Sequence, residues 1–209
     1  SCLRAFLMYE SILIIGAHCD DVELGCGSFI HKVKREQLGE VHALVLSSMT
    51  RDGTLLLIPA MSAFTDLGVD SSHIEPAGSG NFPDRESVWH SIRSMVEKIK
   101  PSLVLTHQQD GHPAHRLVRQ ETFNQSLPVG TSIASYSSKP YLFNQPRNWF
   151  VEVGEEDLEA KLQALKHYHH VYANKDYFDE DLWRSWACVC GMNVPGKYAD
   201  GFYLERMFS

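Results

Sequence analysis

The sequence lacks the features that would place it in a membrane or in a nucleic-acid-binding class. No run among its 209 residues approaches the roughly 20 apolar residues of a membrane span, and the densest stretches are short, such as Ile12–Ile15. It also has no basic block, because 19 Lys and Arg are set against 26 Asp and Glu, a net charge of −7. This mildly acidic composition argues against a nucleic-acid partner.

Disulfide frameworks, secretion signals and dinucleotide fingerprints are missing as well. The five cysteines are odd in number and scattered, which fits a reduced compartment better than a set of disulfides. The N-terminal segment SCLRAFLMYES has no apolar core of about 7–15 residues before a small-residue cleavage site, so we expect no signal peptide. Gly16, Gly25 and Gly27 do not form a G-x-G-x-x-G motif. These absences together predict a cytoplasmic protein.

What the sequence does contain is an alternation of short β-rich runs with helical patterns. Three compact apolar runs predict buried strands, at Ile12–Gly16, Val41–Leu46 and Leu103–Thr106. Apolar residues at helical spacing fall between these runs, in 26–33, 61–67 and 88–99, and a further helix is predicted to begin near Pro113. This order predicts an α/β fold, Rossmann-like, with a mostly parallel sheet flanked by helices.

The C-terminal part follows a different pattern. The serine-rich segment Ser132–Ser138 predicts a surface loop, and Trp149–Val153 predicts a strand. A helix is expected next, because acidic residues follow Gly154 and suit the positive end of a helix. No linker divides the chain, so we expect one domain over residues 1–209.

Two segments carry residues suited to chemistry, and each follows a predicted buried strand. They are Gly16–Gly25 and Thr106–His115. Because parallel strands end at the same edge of a sheet, both segments should meet there. The residues expected within reach of one point are His18, Asp20, Asp21, Asp110, His112 and His115.

Each segment is ordinary when it is taken alone. An Asp-Asp pair before a helix usually serves as a cap and first-turn charge, and two histidines in one turn are often surface residues. Together they offer two histidines and a carboxylate, which suit an open metal site with water as a further ligand. Zn²⁺ is the default, and Fe(II) is the alternative that such a donor set also accepts.

Local geometry divides the roles further. Pro113 suits the first position of a helix, which makes His112 the cap residue and puts His115 in the first turn. Asp20 and Asp21 are neighbours, so their side chains should diverge, with one binding the metal and the other positioned beside the water as a general base.

At this point the residues resemble a known family. The segment His18–Gly27, HCDDVELGCG, resembles the AHPDD-x-x-x-G signature of the LmbE/PIG-L family of zinc-dependent N-acetylglucosaminyl deacetylases. The segment Asp110–His115, DGHPAH, resembles that family's second motif, D-x-H-P-D-H. The likeness covers nearly the whole chain, including residues 81–85, 150–153 and 198–202. It implies an LmbE-like fold.

The resemblance implies a role for each motif residue. His18, Asp21 and His115 match the ligands of one Zn²⁺ per chain, and Asp20 matches the general base. His112 matches the histidine that stabilises the oxyanion or protonates the leaving amine. The implied reaction is hydrolysis of the N-acetyl group of an N-acetylglucosamine-type sugar or conjugate, a small-molecule partner.

Four further residues are candidates for substrate binding. Arg51 follows the second strand and should reach the same edge of the sheet. Its side chain has two alternatives there, contact with a sugar or phosphate of the substrate, or a solvated position in a loop. Asp84 and Arg85 either line the pocket, pair with each other, or belong to a simple turn after Pro83. Asp110 completes this group.

Two departures from the family pattern motivate an alternative. Ala114 stands where the family has Asp, so we expect a lowered pKa or a free ring for His112 unless Asp110 compensates. The stretch Leu57–Ala60 also lacks the family's Arg-x-x-Glu charges. The alternative is a metal-holding small-molecule binding module with weak or lost catalysis, and a zinc hydrolase of another amide is a third reading. Many domains of this kind form symmetric oligomers, so a homo-oligomer is compatible with the sequence.

Overall fold

The computed structural model describes residues 9–76, 82–139, 146–172 and 174–207. Its strands are β1 (Ser11–Gly16), β2 (Glu40–Val45), β3 (Ser71–Ile74), β4 (Leu103–His107), β5 (Ser132–Tyr136), β6 (Trp149–Val153) and β7 (Tyr198–Arg206). Its helices are α1 (Asp21–Arg35), α2 (Leu57–Leu67), α3 (Arg85–Ile99), α4 (Pro113–Phe123), α5 (Glu155–Lys166), the single turn α6 (His169–Tyr172) and α7 (Glu180–Gly191). A short 3₁₀ turn, Asp176–Phe178, precedes α7. None of the helices in these ranges is both long and apolar enough to cross a membrane.

The strands form one seven-stranded sheet in the order β3-β2-β1-β4-β5-β7-β6. The first five strands in this order are parallel, while β7 is antiparallel to both β5 and β6. The prediction of a mostly parallel sheet is therefore confirmed. Strand order reverses between β1 and β4, and such a switch point leaves a crevice at the carboxyl ends of the strands.

Helices cover both faces of the sheet because the residues of each central strand alternate between two cores. On β1, Ile12 and Ile14 join the cluster that contains the apolar sides of α1, α2 and α5. Leu13 and Ile15 join the opposite cluster, with α3 and α4. The near-continuous apolar run of β1 is the expected pattern for a parallel strand buried on both sides.

The prediction of a surface loop at Ser132–Ser138 is wrong. Residues Ser132–Tyr136 form β5, which is wholly buried between β4 and β7. The polar groups are accommodated by hydrogen bonds, since the Ser135 hydroxyl donates to Glu205 Oε1 at 2.7 Å and the Tyr136 hydroxyl donates to the Ile15 carbonyl at 2.9 Å. Strands β3 and β7 were also not predicted.

The glycine at the end of the first motif is required by packing. A Cβ atom on Gly25 would lie 2.0 Å from Cδ2 of Tyr136. Gly25 therefore lets α1 approach the sheet closely enough for Tyr136 to reach the backbone of β1. This contact holds the start of α1, and with it Asp21, against the edge of the sheet.

A buried ion pair joins the C-terminal elements to α1. Lys161 on α5 is 2% exposed, and its Nζ lies 3.9 Å from Asp200 Oδ1 and 3.7 Å from the ring centroid of Trp183. The other Asp200 oxygen accepts the backbone N–H of Phe29 at 2.8 Å. Burial lowers the pKa of Lys161 and raises the pKa of Asp200, so each charge depends on the other.

Removing one partner of this pair should destabilise the protein more than removing both charges. We expect Lys161→Met to lower the free energy of unfolding by about 3–5 kcal/mol, because the Asp200 carboxylate is left buried without a cation. The double variant Lys161→Met/Asp200→Asn should recover most of that loss, since the amide oxygen still accepts the Phe29 N–H. Urea unfolding of both variants measures the difference. Equal losses in both would contradict the charge-based explanation.

Candidate active site

The loops after β1 and β4 meet at the switch point and line a cavity of about 760 Å³. The first loop brings His18, Asp20 and Asp21, and the second brings His112 and His115. The sequence-predicted motif residues therefore converge, although they are about 90 positions apart in the chain.

Asp21 is the carboxylate that connects the two loops. It is 4% exposed, and its Oδ2 accepts the backbone N–H of His18 at 2.8 Å. Oδ2 lies 3.3 Å from Nδ1 of His18, and Oδ1 lies 3.3 Å from Nε2 of His115. Burial acts to raise the pKa of Asp21, but His115 and His107 outweigh it and hold this pKa well below its usual range.

His115 is oriented from behind by Asp110. Its Nδ1 bonds to Asp110 Oδ2 at 2.7 Å, which leaves Nε2 facing Asp21. Burial acts to lower the pKa of His115, but Asp21 and Asp110 raise it to about 10. Asp110 thus contacts a histidine, and it is not among the described residues that line the cavity. A carboxylate behind a ligating histidine is the usual support in metal sites.

These donors fit a zinc ion. Two atoms bound to one tetrahedral Zn²⁺ at about 2.0–2.1 Å lie about 3.3 Å apart. Asp21 has that separation from Nδ1 of His18 through Oδ2 and from Nε2 of His115 through Oδ1. Two groups of donor atoms lie within 4.8 Å of one another, His18 with His112 and His115, and Asp21 with His107 and His115. The predicted ligands His18, Asp21 and His115 are divided between these two groups and do not themselves form one of them.

His107 lies beside the site with its Nε2 engaged by the backbone. Its Nε2 accepts the backbone N–H of Ala17 at 2.9 Å, and burial lowers its pKa well below the usual range. Its ring stacks on His115 with centroids 3.9 Å apart. His107 belongs to the second motif segment, Thr106–His115, but the sequence did not predict this stacking.

Asp20 combines burial, an unusual backbone and an unengaged carboxylate. It precedes α1 with φ of 111°, a conformation that non-glycine residues rarely adopt, and its side chain makes no cap hydrogen bond. Within the described residues no hydrogen bond holds this carboxylate, which is 6% exposed and lines the cavity. Burial first, then the charges of Asp21 and Glu23, raise the pKa of Asp20 well above its usual range.

His112 occupies the position that its motif predicts. It is the N-cap residue of α4, with Pro113 at the first helical position. Its ring centroid lies 5.0 Å from that of His18 and 4.5 Å from that of His115. The pKa of His112 is lowered, as expected, although burial and the neighbouring histidines are the causes.

Asp110 compensates for Ala114 only in part, because its charge acts to raise the pKa of His112 but does not prevent the net lowering. Ala114 is buried in the core beneath α4. Asp110 Oδ1 accepts the backbone N–H of His112 at 2.8 Å, and Oδ2 is hydrogen-bonded to Nδ1 of His115. Neither oxygen is hydrogen-bonded to the His112 ring.

The remaining predicted substrate residues separate into two groups. Arg51 lines the cavity, as does Phe82. Asp84 instead caps α3, accepting the backbone N–H of Ser87 at 2.8 Å. Arg85 donates from Nε to the buried Glu121 at 2.7 Å. A helix cap accounts for Asp84 and an ion pair accounts for Arg85, and neither residue is among the described residues of the cavity lining.

One wall of the cavity was not foreseen from the sequence. It is formed by residues from the C-terminal part of the chain, namely Lys139, Val171, Tyr172, Lys175 and Tyr177. Lys139 follows β5, and because β5 was interpreted as a loop, its carboxyl end could not be placed at the edge of the sheet. The only signal for β5 in the sequence was an alternation of apolar and polar residues. This alternation was too weak to distinguish a strand from a loop.

Known proteins share both the sequence pattern and the fold. Residues 13–125, more than half of the chain, match the family model PIG-L, GlcNAc-PI de-N-acetylase. The chain is 27% identical over 168 residues to the uncharacterized deacetylase YaiS of Escherichia coli (strain K12), covering 75% of this chain and 89% of YaiS.

Solved structures with the same fold have different activities. The A40926 pseudoaglycone deacetylase Dbv21 matches with a TM-score of 0.76 at 18% identity, over 97% of this chain and 99% of its own. GalB, the 4-carboxy-2-hydroxymuconate hydratase of Pseudomonas putida KT2440, also matches at 0.76, with 16% identity over 96% and 98% of the two chains. These likenesses show the fold alone. The family match spans both motif loops, and the chain belongs to the PIG-L (LmbE-like) deacetylase family.

Proposed function

We propose that this protein is a metal-dependent hydrolase that removes the N-acetyl group from an N-acetylglucosamine-type sugar or sugar conjugate. The observation that carries the proposal is one cavity that holds the donors His18, Asp21 and His115 together with the unengaged carboxylate of Asp20. The family description, a de-N-acetylase of GlcNAc-PI, supports the choice of bond and sugar.

In this proposal His18, Asp21 and His115 would hold one Zn²⁺. A zinc ion bound there polarises a carbonyl oxygen and lowers the pKa of water toward about 7. Asp110 keeps His115 in the orientation that presents Nε2, and the stacked His107 limits rotation of its ring.

The other two motif residues would move and stabilise charge. Asp20 takes the proton of the attacking water as its oxygen adds to the amide carbonyl carbon, and passes it to the nitrogen as the C–N bond breaks. His112 donates a ring N–H to the developing oxyanion or protonates the amine. The products are acetate and the free amino sugar.

Replacing Asp20 should separate metal binding from turnover. We expect Asp20→Asn to keep zinc and to lower acetate release by about 10²–10⁴-fold, because the amide has the same size but cannot accept the proton. Acetate release from N-acetylglucosamine, its nucleotide-linked form and a glycoside measures turnover, and elemental analysis measures zinc.

Asp84→Asn is the matched control, since asparagine caps a helix as well as aspartate does and Asp84 lies outside the described cavity lining. It should retain full turnover. Acetate release by Asp20→Asn at the parental rate would show that Asp20 is not the base.

Asp110 should control zinc affinity through His115. We expect Asp110→Ala to weaken zinc binding by about 10–100-fold, because His115 loses the partner of its Nδ1. His115→Ala should remove specific binding altogether. Competition with a chelating indicator gives the affinities, and the zinc-dependent rise in melting temperature gives an independent measure.

Asp52→Asn provides the comparison, because Asp52 lines the same cavity and contacts Thr50 and Thr54 rather than the histidines. Its zinc affinity should equal that of the parent. An unchanged affinity in Asp110→Ala would disprove the support role.

Ala114 stands where the family has an aspartate, and this difference favours a second candidate function. A metal-holding binding module would bind zinc and sugar without releasing acetate from any of the three substrates. Turnover of any one of them excludes that function. A protein that binds no zinc although His18 and His115 are intact would exclude both functions.

A further inference from the structure

The cavity has polar side chains where it is exposed and apolar side chains where it is buried. Its exposed lining residues include Arg51, Asp52 and Lys175. Leu24 and Leu56 also line it, but they are only 1% and 2% exposed and belong to the hydrophobic core that contains the apolar sides of α1 and α2. The buried end of the cavity is therefore a packed apolar surface.

The first turn of α1 holds two side chains of this surface in place. The Leu24 N–H donates to the Asp20 carbonyl at 2.8 Å, so Leu24 lies one helical turn from the proposed base. Glu23 accepts the Tyr168 hydroxyl at 2.6 Å, and the Tyr168 carbonyl accepts the N–H of Val171 at 3.0 Å. Val171 also lines the cavity, and it packs against the core cluster that contains Leu24.

Leu56 reaches the same place from the loop after β2. Its N–H donates to the Ser48 carbonyl at 2.8 Å, and the neighbouring Ser47 carbonyl accepts the N–H of Cys19 at 3.3 Å. Because Cys19 immediately precedes Asp20, these bonds hold Leu56 beside the first motif loop. Leu56 also directly precedes α2, whose first turn lacks the charges of the family pattern. We call Leu24, Leu56 and Val171 the apolar floor.

The two ends of an N-acylated sugar differ in the same way as the two ends of the cavity. The sugar ring carries hydroxyl groups, and a hydroxyl that is buried without a hydrogen-bond partner is unfavourable. The side chains of the apolar floor offer no such partner, whereas the methyl group of an acyl chain needs none. A sugar that carries a conjugate must also extend toward solvent, where Arg51, Asp52 and Lys175 lie.

We propose that the apolar floor receives the acyl group of the substrate and that Leu56 limits this group to acetyl. This inference rests on the proposed function, because it takes the scissile amide to lie at His18, Asp21 and His115. A closely packed interior leaves no room for extra methylene groups unless side chains move. One methylene group in an apolar pocket changes the preference of an enzyme by about tenfold or more.

The test compares three substrates that differ only in the length of the acyl group. They are the N-acetyl, N-propionyl and N-butyryl derivatives of the methyl glycoside of glucosamine, and release of the free amine by the zinc-loaded protein is measured. We expect kcat/KM to fall by about tenfold or more from acetyl to butyryl. Leu56→Ala should raise the butyryl-to-acetyl ratio of kcat/KM by about tenfold, because it removes the part of the floor that blocks the longer chain.

Leu67→Ala is the matched control. Leu67 is 1% exposed in the same hydrophobic core, at the far end of α2, and is not among the described residues that line the cavity. This variant should lose stability through the same truncation but keep the parental ratio. Leu56→Val removes less volume and provides the comparison where the alanine variant does not fold, and it should raise the propionyl-to-acetyl ratio severalfold.

Failure of the inference can be distinguished from failure of the proposed function. If the parent hydrolyses none of the three glycosides, the deacetylase function is contradicted, and calorimetry with the same compounds gives the ratio of dissociation constants. Tighter binding of the acetyl compound, with a preference that Leu56→Ala removes, would then still support the inference. Equal rates or equal binding for all three glycosides in the parent would overturn it, as would an acetyl preference that both Leu56 variants leave unchanged.

Discussion

The site depends on how the buried carboxylate of Asp21 is compensated. An ionised carboxylate removed from water is strongly unfavourable unless donors or cations surround it. Here a backbone N–H of the same loop and imidazoles from both loops perform that task. The carboxylate therefore holds the β1–α1 loop and the β4–α4 loop at one point, and Gly25 lets α1 pack close enough for this to occur. A divalent cation at this point would complete the compensation and is the natural ligand of such a cluster.

The sequence predicted the central part of the fold because those strands are buried on both faces. β1, β2 and β4 are mostly apolar, and their boundaries fall within one residue of the prediction. β5 was missed because Ser132 and Ser135 are polar, and only tertiary partners such as Glu205 make a buried serine strand stable. The edge strand β3 offered too few apolar residues to be recognised.

The site residues that could be predicted are likewise those that follow the predicted strands, and the residues that depend on tertiary packing could not be predicted. Motif spacing placed six residues at one edge of the sheet, because the carboxyl ends of parallel strands must meet there. It could not show which imidazole Asp110 would contact, since His112 and His115 are both within reach of a residue so close in the chain. It could not place Lys139 or Tyr177 either, because their position depends on β5 and on the packing of the C-terminal segment. For Asp84 and Arg85 the sequence suggested a place in the substrate site. In the structure, hydrogen bonds with Ser87 and Glu121 explain the presence of these two side chains.

The fold also occurs in a hydratase, so the reaction depends on the site and not on the architecture. The most direct measurement of the central claim is a crystal structure of the zinc-loaded protein, with anomalous diffraction recorded at the zinc edge. We predict one peak per chain, about 2.0–2.2 Å from His115 Nε2, from a nitrogen of His18 and from a carboxylate oxygen of Asp21. A peak bound by His18, His112 and His115 without Asp21, or one at the cysteines, would contradict it.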